Sequence, residues 1–510
     1  MAYGEEWSKP IIRDFSGGMN LKKSPILLAG PTSPNNEVVR ARNMVLDDRG
    51  AIRKRLGYTA LSGAVATGVT GIQMAYRWNH PSGSVTLVAA KTATYTKIYS
   101  FDGSTFTEIT GGTALAAGDT VRFIDFFDYL FIYNGTVFQY MSSPTATTKA
   151  DVVYKAASAL PSAPLLIEIA DDKMFVKVSG STYRYTIFFS IVGGWDTSPG
   201  VDLEFVALDE FPVRARRRDA DGVTAMLNCG NDDDLIAYLN MGNQRLLGNE
   251  SIDYEIQQTS RFAGAVGPEA MCETDDGRIL HVGKNNVFMY DGQYDRPIGD
   301  NIRPLFDGVD FSGAQVEYWP EIDSIVIPHS NGCLVWHKTT GGWTEWGVGG
   351  ISTVIRYDDG LTQMIVFAFH DDNKLYYYGG ATDNGANIEW TLELPVYDMG
   401  DFTMDKQIAA VWAFVETDQT EPFLVDVVIA GRDHNANGDN NTMTMLQSGP
   451  LYDVAIYDVD YYGDAMPSIG KVTFNDPLRG SAFTVTLSNT SDDAITIYGV
   501  AAQIKSLPAT

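Results

Sequence analysis

Cysteine is nearly absent. Cys229, Cys272 and Cys333 lie far apart in 510 residues and none sits in a Cys-x-x-Cys pair, which excludes a disulfide framework and a cysteine-held zinc site. Histidine is scarce as well. The six are His80, His281, His329, His337, His370 and His434, with no pair at the spacing of a zinc-binding helix, and no hydrolytic triad can be assembled from them. No run approaches the ~18 apolar residues of a helical membrane span, and the opening MAYGEEWSKP does not read as a signal peptide. A phosphate-cradling glycine loop with its Lys and Ser or Thr is missing. These absences leave no metal, no cofactor and no membrane to expect. Helical periodicity is missing too, which turns attention to strands.

What is abundant fits strands. Glycine reaches 49, with 26 Tyr and 24 Phe, and Thr and Val recur in short runs, a composition of β-strands joined by tight turns. With 45% hydrophobic residues the chain can bury a core. The net charge is -27, unevenly spread: residues 1–60 carry ten Lys or Arg against six Asp or Glu, leaving 27 against 58 for the rest. A basic beginning beside an acidic body suggests that the first segment lies on acidic surface, its own or a neighbour's. An acidic body does not grip nucleic acid by its phosphates, but it would let DNA slide past.

Taken in order, residues 1–60 show no clean periodic element. Pro25, Pro31 and Pro34 break helices. Gly17-Gly18 after Phe15 marks a turn or a close backbone approach. The stretch reads as an extended arm that gains order on something else. Residues 61–400 read as a β-propeller of about six or seven blades. The phrases YLFIYNGTVFQY, VFMYDGQYDRP and KLYYYGG share one pattern, a short aromatic strand followed by a polar glycine turn. In FAGAVGPEAMCETDDGRILHVGKNNVFMYDGQYDRPIG, strands are expected at Arg278–His281 and Val287–Tyr290. A blade turn at Asp291-Gly292 then presents Tyr294 and the pair Arg296-Pro297. Asn331-Gly332 signals another hairpin. The Ser-, Thr- and Pro-rich residues near 142–222 suggest an inserted subdomain, and its end carries the basic cluster Arg214, Arg216, Arg217 and Arg218, an interface or DNA-facing candidate. From 401 to 510 the strands lengthen and alternate strongly, as in a β-sandwich that closes or flanks the propeller.

Chemistry-bearing clusters are few. Asp371-Asp372 and Asp358-Asp359 sit beside turns, where carboxylates cap backbone N–H groups. Asp453, Asp458, Asp460 and Asp464 are hard oxygen ligands that would suit calcium, yet their spacing departs from the calcium-loop pattern.

Four segments carry a resemblance. DFSGGMNLKKSPILL (14–28), ARNMVLDDRGAIRKRLGY (41–58), the stretch GAVGPEAMCETDDGRILHVGKNNVFMYDGQYDRPIGDNIRPLF (264–306) and RGSAFTVTLSNTSDDAITIYGV (479–500) resemble β-propeller virion proteins of tailed bacteriophages. They cover about a third of the chain, in matching order. The resemblance implies a non-enzymatic structural protein, a nozzle, tail hub or DNA-stabilisation protein at the distal end of the head-to-tail connector. It would form a ring, usually hexameric, beside connector, adaptor and tail proteins, with genomic DNA passing through the lumen without sequence recognition. Phe15, Gly17, Gly18, Arg42, Arg49, Arg53, Lys54 and Arg55 are then the candidates for contact with a neighbouring subunit. The implied location is the virion, assembled in the host cytoplasm. The alternative is a carbohydrate-binding or glycan-processing propeller, which in its catalytic form needs two convergent carboxylates.

Overall fold

In the computed structural model, short antiparallel meanders follow one another from residue 69 to residue 378. The structure describes residues 7–29, 34–154, 159–190, 202–203, 205, 211–212, 222–229, 234–247, 255–306, 309, 311, 315–358, 363–398, 406–417, 423–429, 432–433, 442–445 and 468–506. Six meanders are sheets of their own. Blade 1 begins with Val69–His80, blade 2 with Arg122–Phe126, blade 3 with Pro164–Ala170, blade 4 with Val223–Cys229 and blade 5 with Met271–Glu273; blade 7 begins with Ile351–Asp358. The remaining meander, blade 6, runs from Glu317–Trp319 to Trp343–Trp346 and is fused to a larger sheet.

Apolar seams between consecutive blades close the circle. Leu87 meets Leu130 and Ile132 between blades 1 and 2, and Phe131 meets Met174 and Val176 between 2 and 3. Phe175 packs with Leu235, Ile236 and Tyr238 with Ile279 and Tyr290, and Leu280 with Ile325 and Trp336. Trp319 and Trp346 join Phe367, and Val366 and Ala368 return to Ile72 and Val88 of blade 1. A strand between two such seams is buried on both faces, so Lys173–Val178 and Gly332–His337 are buried at every position and alternation disappears. The outer strand of blade 7 is Tyr58–Ala60, paired antiparallel with Leu375–Tyr378. The chain thus locks its last blade with a strand that precedes its first.

Beside the propeller lies a two-sheet sandwich. One sheet pairs Ile495–Ser506 with Lys406–Thr417 and Trp7–Ile12, and adds Ser468–Gly480. The other pairs Phe483–Ser491 with Ile388–Glu393 and Phe423–Ile429. Between them Val411, Val415, Val485, Leu487, Val500 and Trp390 form the core.

Three domain expectations need correction. Residues 7–60 are not a separate arm. Ile11, Ile12, Phe15, Val38, Ala41, Met44, Leu46 and Ile52 are buried in the sandwich core. Their strands are mostly two or three residues long, too short to show a period. The sandwich starts at Ile388 rather than at 401 and includes these N-terminal strands. The described residues near 142–222 form no inserted unit. They complete blade 2 and build blade 3, from Pro164–Ala170 through Phe211–Pro212.

Candidate functional site

The N-terminal segment welds propeller to sandwich. Arg40–Arg42 pairs antiparallel with Ile388–Glu393 of the sandwich and parallel with Trp343–Trp346 of blade 6. Two sheets become one through this strand. Its neighbour, the hairpin of Met44–Leu46 and Ile52–Lys54, adds to Ile495–Ser506 of the other sheet.

The candidate contact residues mostly face inward here. Phe15 is fully buried. Gly17 and Gly18 pass so close to the chain that a side chain has no room. A Cβ on Gly17 would lie 2.7 Å from Glu37 Cγ, and one on Gly18, at φ +61°, would collide with the Trp343 backbone. Lys54 is buried and donates to the carbonyls of Ser491, 2.5 Å, and Asp493, 2.8 Å. Burial lowers its pKa, against the pull of Asp493 and Asp492. Arg55 is buried too. It grips both oxygens of Asp383 at 2.8 and 2.5 Å, donates to Asn43 Oδ1 at 3.0 Å, and lies 5.8 Å over the Trp346 ring. For Phe15, Gly17, Gly18, Lys54 and Arg55 the expectation of contact with a neighbour is therefore corrected: the chain's own fold occupies them. Arg42 is half-buried in the welding strand, and Arg49 and Arg53 are exposed.

The blade-5 turn forms as expected. Asp291 Oδ1 accepts the N–H groups of Gln293 and Tyr294 at 3.1 and 2.8 Å, Gly292 takes φ +93°, and exposed Arg296 pairs with Asp291 at 3.0 Å. Those bonds hold the Asp291 carboxyl below its ordinary range, with partial burial opposing. Pro297 pairs with Phe288 at the blade's outer strand. The cluster Arg214, Arg216, Arg217 and Arg218 lies outside the described residues, as do Asp453, Asp458, Asp460 and Asp464.

Sequence reading missed the axis of the propeller. Arg122 of blade 2 reaches Glu269, at the foot of blade 5, at 2.6 Å. Blades 2 and 5 are not neighbours, so this ion pair crosses the axis. The innermost strands of blades 3, 5 and 6 add Glu168, Glu273 and Glu317. Burial pushes the Glu168 carboxyl up to about 8, with the charge of Glu273 adding to the shift and N–H bonds from Asn228 and Ile169 opposing it. Burial also raises Glu317 to about 7, against the pull of Arg356 at 3.6 Å. Near neutrality Glu168 is therefore mostly protonated and Glu317 about half so. No local sequence signal brings them together, because each comes from a different blade.

A metal fits poorly at the one three-donor grouping among the described residues, Asp48, Asp323 and His337. The Thr340 N–H donates to His337 Nδ1 at 3.2 Å. That places the neutral ring's proton on Nε2, the atom facing Asp48 at 3.4 Å. Lys338 Nζ, 3.3 Å from Asp323, already supplies positive charge. The group is a tie between the N-terminal hairpin and blade 6.

No family model matches the chain, and no curated protein matches it. Solved propellers do. The extracellular domain of the putative one component system BT4673 from B. thetaiotaomicron aligns with TM-score 0.42 and 8% identity, over 63% of this chain and 39% of that one. The Neurospora crassa Pan2 WD40 domain aligns with TM-score 0.41 and 9% identity, over 64% of this chain and 96% of that one. The Doa1 WD40 propeller gives 0.40 and 11%, over 63% and 97%. The chain is a β-propeller by fold; these neighbours carry nothing about its role.

Proposed function

We propose that the chain is a structural, non-enzymatic subunit of a bacteriophage tail or head–tail connector, a nozzle or hub that assembles as a ring and guides and retains genomic DNA. One observation supports this reading above the rest: distant segments of the resemblance meet in space. Leu21 N donates to Asn301 O at 2.8 Å, Asn20 reaches Asn301 Oδ1 at 3.2 Å and Lys22 pairs with Asp300 at 2.8 Å. Met19 packs with Leu280, Val287 and Ile302 of blade 5. The motifs therefore behave as one packed module rather than as separate coincidences.

In this reading the ring takes no cofactor, and its partners are other copies, the connector, adaptor and tail proteins on either side, and passing DNA read without sequence preference. Of the N-terminal set, Arg49 and Arg53 are exposed, which supports them as the residues to test for contact with a neighbour. A closed ring uses two different patches on each copy. The test is the mass of the purified full chain in solution. A ring of about six copies is expected. A chain that stays monomeric at every concentration, and in the presence of phage connector proteins, sinks the reading.

A further inference from the structure

A cavity of about 360 Å³ opens at the outer edge of the seam between blades 2 and 3, lined by Thr113, Thr136, Phe138, Asp151, Tyr154 and Ser162 among others. Its size falls at the low end of small-ligand pockets, roughly 300–1,000 Å³.

The polar wall is built from behind. Gln139 is fully buried. It donates to Asp151 Oδ1 at 2.8 Å and to Thr113 O at 2.7 Å, and accepts from buried Lys149 at 2.6 Å. Lys149 also donates to Gly111 O at 2.7 Å. A side chain held this way presents its carboxylate in one orientation. Partial burial pushes the Asp151 carboxyl up. The Thr113 N–H, Gln139, the Thr113 hydroxyl and Lys149 outweigh it and hold the group below its ordinary range, so it is ionised.

The hydroxyls are polarised the same way. Thr113 Oγ1 donates to Asp151 Oδ2 at 2.8 Å, Thr136 Oγ1 to Asn134 Oδ1 at 2.9 Å, and Ser162 Oγ to Ser179 O at 2.6 Å. Each has one proton, already committed to the protein, so each can offer a bound molecule only lone pairs. The cavity is thus a wall of acceptors facing the rings of Phe138 and Tyr154. Its complement is a molecule with several O–H donors along one edge and an apolar C–H face. A pyranose has both.

We propose that this cavity binds a neutral saccharide, with Asp151 Oδ2, which holds the carboxylate's remaining lone pair, accepting from one ring hydroxyl and Tyr154 covering the apolar face. The proposal stands apart from the ring reading and survives its failure. Among the described residues Asp151 is the one carboxylate lining the cavity, which suits binding rather than glycoside hydrolysis.

The test uses saturation-transfer NMR on the full chain with methyl glucoside, methyl galactoside, methyl mannoside, N-acetylglucosamine and fucose as probes, and choline as a cationic control. Saturable transfer to at least one sugar is expected, weakened about tenfold by Asp151→Asn, since a hydrogen bond to a charged acceptor is stronger than one to a neutral amide. An unchanged unfolding midpoint shows that the variant folds. Should that midpoint fall, Tyr154→Ala provides the second test and is expected to weaken binding by a similar factor. Transfer to none of the sugars, transfer to choline alone, or sugar binding untouched by both variants overturns the proposal.

Discussion

Arg55 shows how a basic residue in an acidic protein can be consumed by the fold. Its side chain is 2% exposed and Asp383, its partner, 19%. The guanidinium ties the N-terminal segment to the loop after blade 7. It also bonds Asn43, whose amide donates to Glu389 O at 2.6 Å. Removing one member of a buried pair leaves the other charge without compensation, at a cost of about 3–5 kcal/mol. Arg55→Ala should lower the urea unfolding free energy by that amount; a loss under about 1 kcal/mol would mean that the pair behaves as if solvated. Glu168 makes a prediction of opposite character. Its carboxyl rises from 4.5 to about 8 in the fold. Between those values the folded chain holds a proton that the unfolded chain has released. Stability from this group is therefore complete at acid pH and is lost as pH rises through the window. Glu168→Gln keeps a neutral side chain throughout. The unfolding midpoint of the natural chain should fall more steeply from pH 5 to pH 8 than that of the variant. Parallel curves would place Glu168 in ordinary solvent.

At the scale of the element, Arg40–Arg42 is the strand on which the architecture depends, and it is three residues long. Removing residues 1–60 deletes this strand, the outer strand of blade 7 and the edge strand Trp7–Ile12 together. The shortened chain should lose cooperative unfolding and soluble expression, which circular dichroism and gel filtration would register. A well-folded truncated chain would restore the idea of a detachable arm. The same strand marks where sequence reading stops. Long strands with one more open face show their period: Lys406–Thr417 alternates buried and half-buried positions as far as Glu416, apart from one break at Ala410-Val411. Blade strands were read from turn chemistry instead: Asp291-Gly292 and Asn331-Gly332 announce hairpins that are present. A two- or three-residue strand has neither period nor diagnostic turn, and its pairing partner lies some 300 residues away. Gly17 and Gly18 show in the sequence as a close approach, but what they approach, Glu37 and Trp343 respectively, does not. The axial ion pair Arg122–Glu269 was invisible for the same reason: its geometry exists only when the circle of blades closes.

For the whole molecule, the fate of the basic residues changes how a ring would hold together. Opposite charge on the N-terminal segment and the body suggests that the segment lies on acidic surface, its own or a neighbour's. Lys22, Lys23, Arg40 and Arg55 pair within the chain with Asp300, Glu37, Glu345 and Asp383. Lys54 is enclosed by carbonyls. Half of the segment's ten basic residues are thus engaged within the chain, while each copy brings a net charge of -27. Repulsion between copies then opposes assembly, and apolar or backbone contacts must outweigh it. Salt separates the two arrangements. Screening shortens from about 10 Å at 0.1 M to about 3 Å at 1 M, which weakens repulsion between like-charged bodies and equally weakens attraction between a basic segment and an acidic groove. With half of the segment's basic residues engaged internally and a net charge of -27 on each copy, the fraction of chain in the ring should rise across that range, read by sedimentation velocity at fixed protein concentration. A ring that dissociates as salt increases would show that charge attraction between copies dominates, with Arg49 and Arg53 as the first residues to neutralise in search of it.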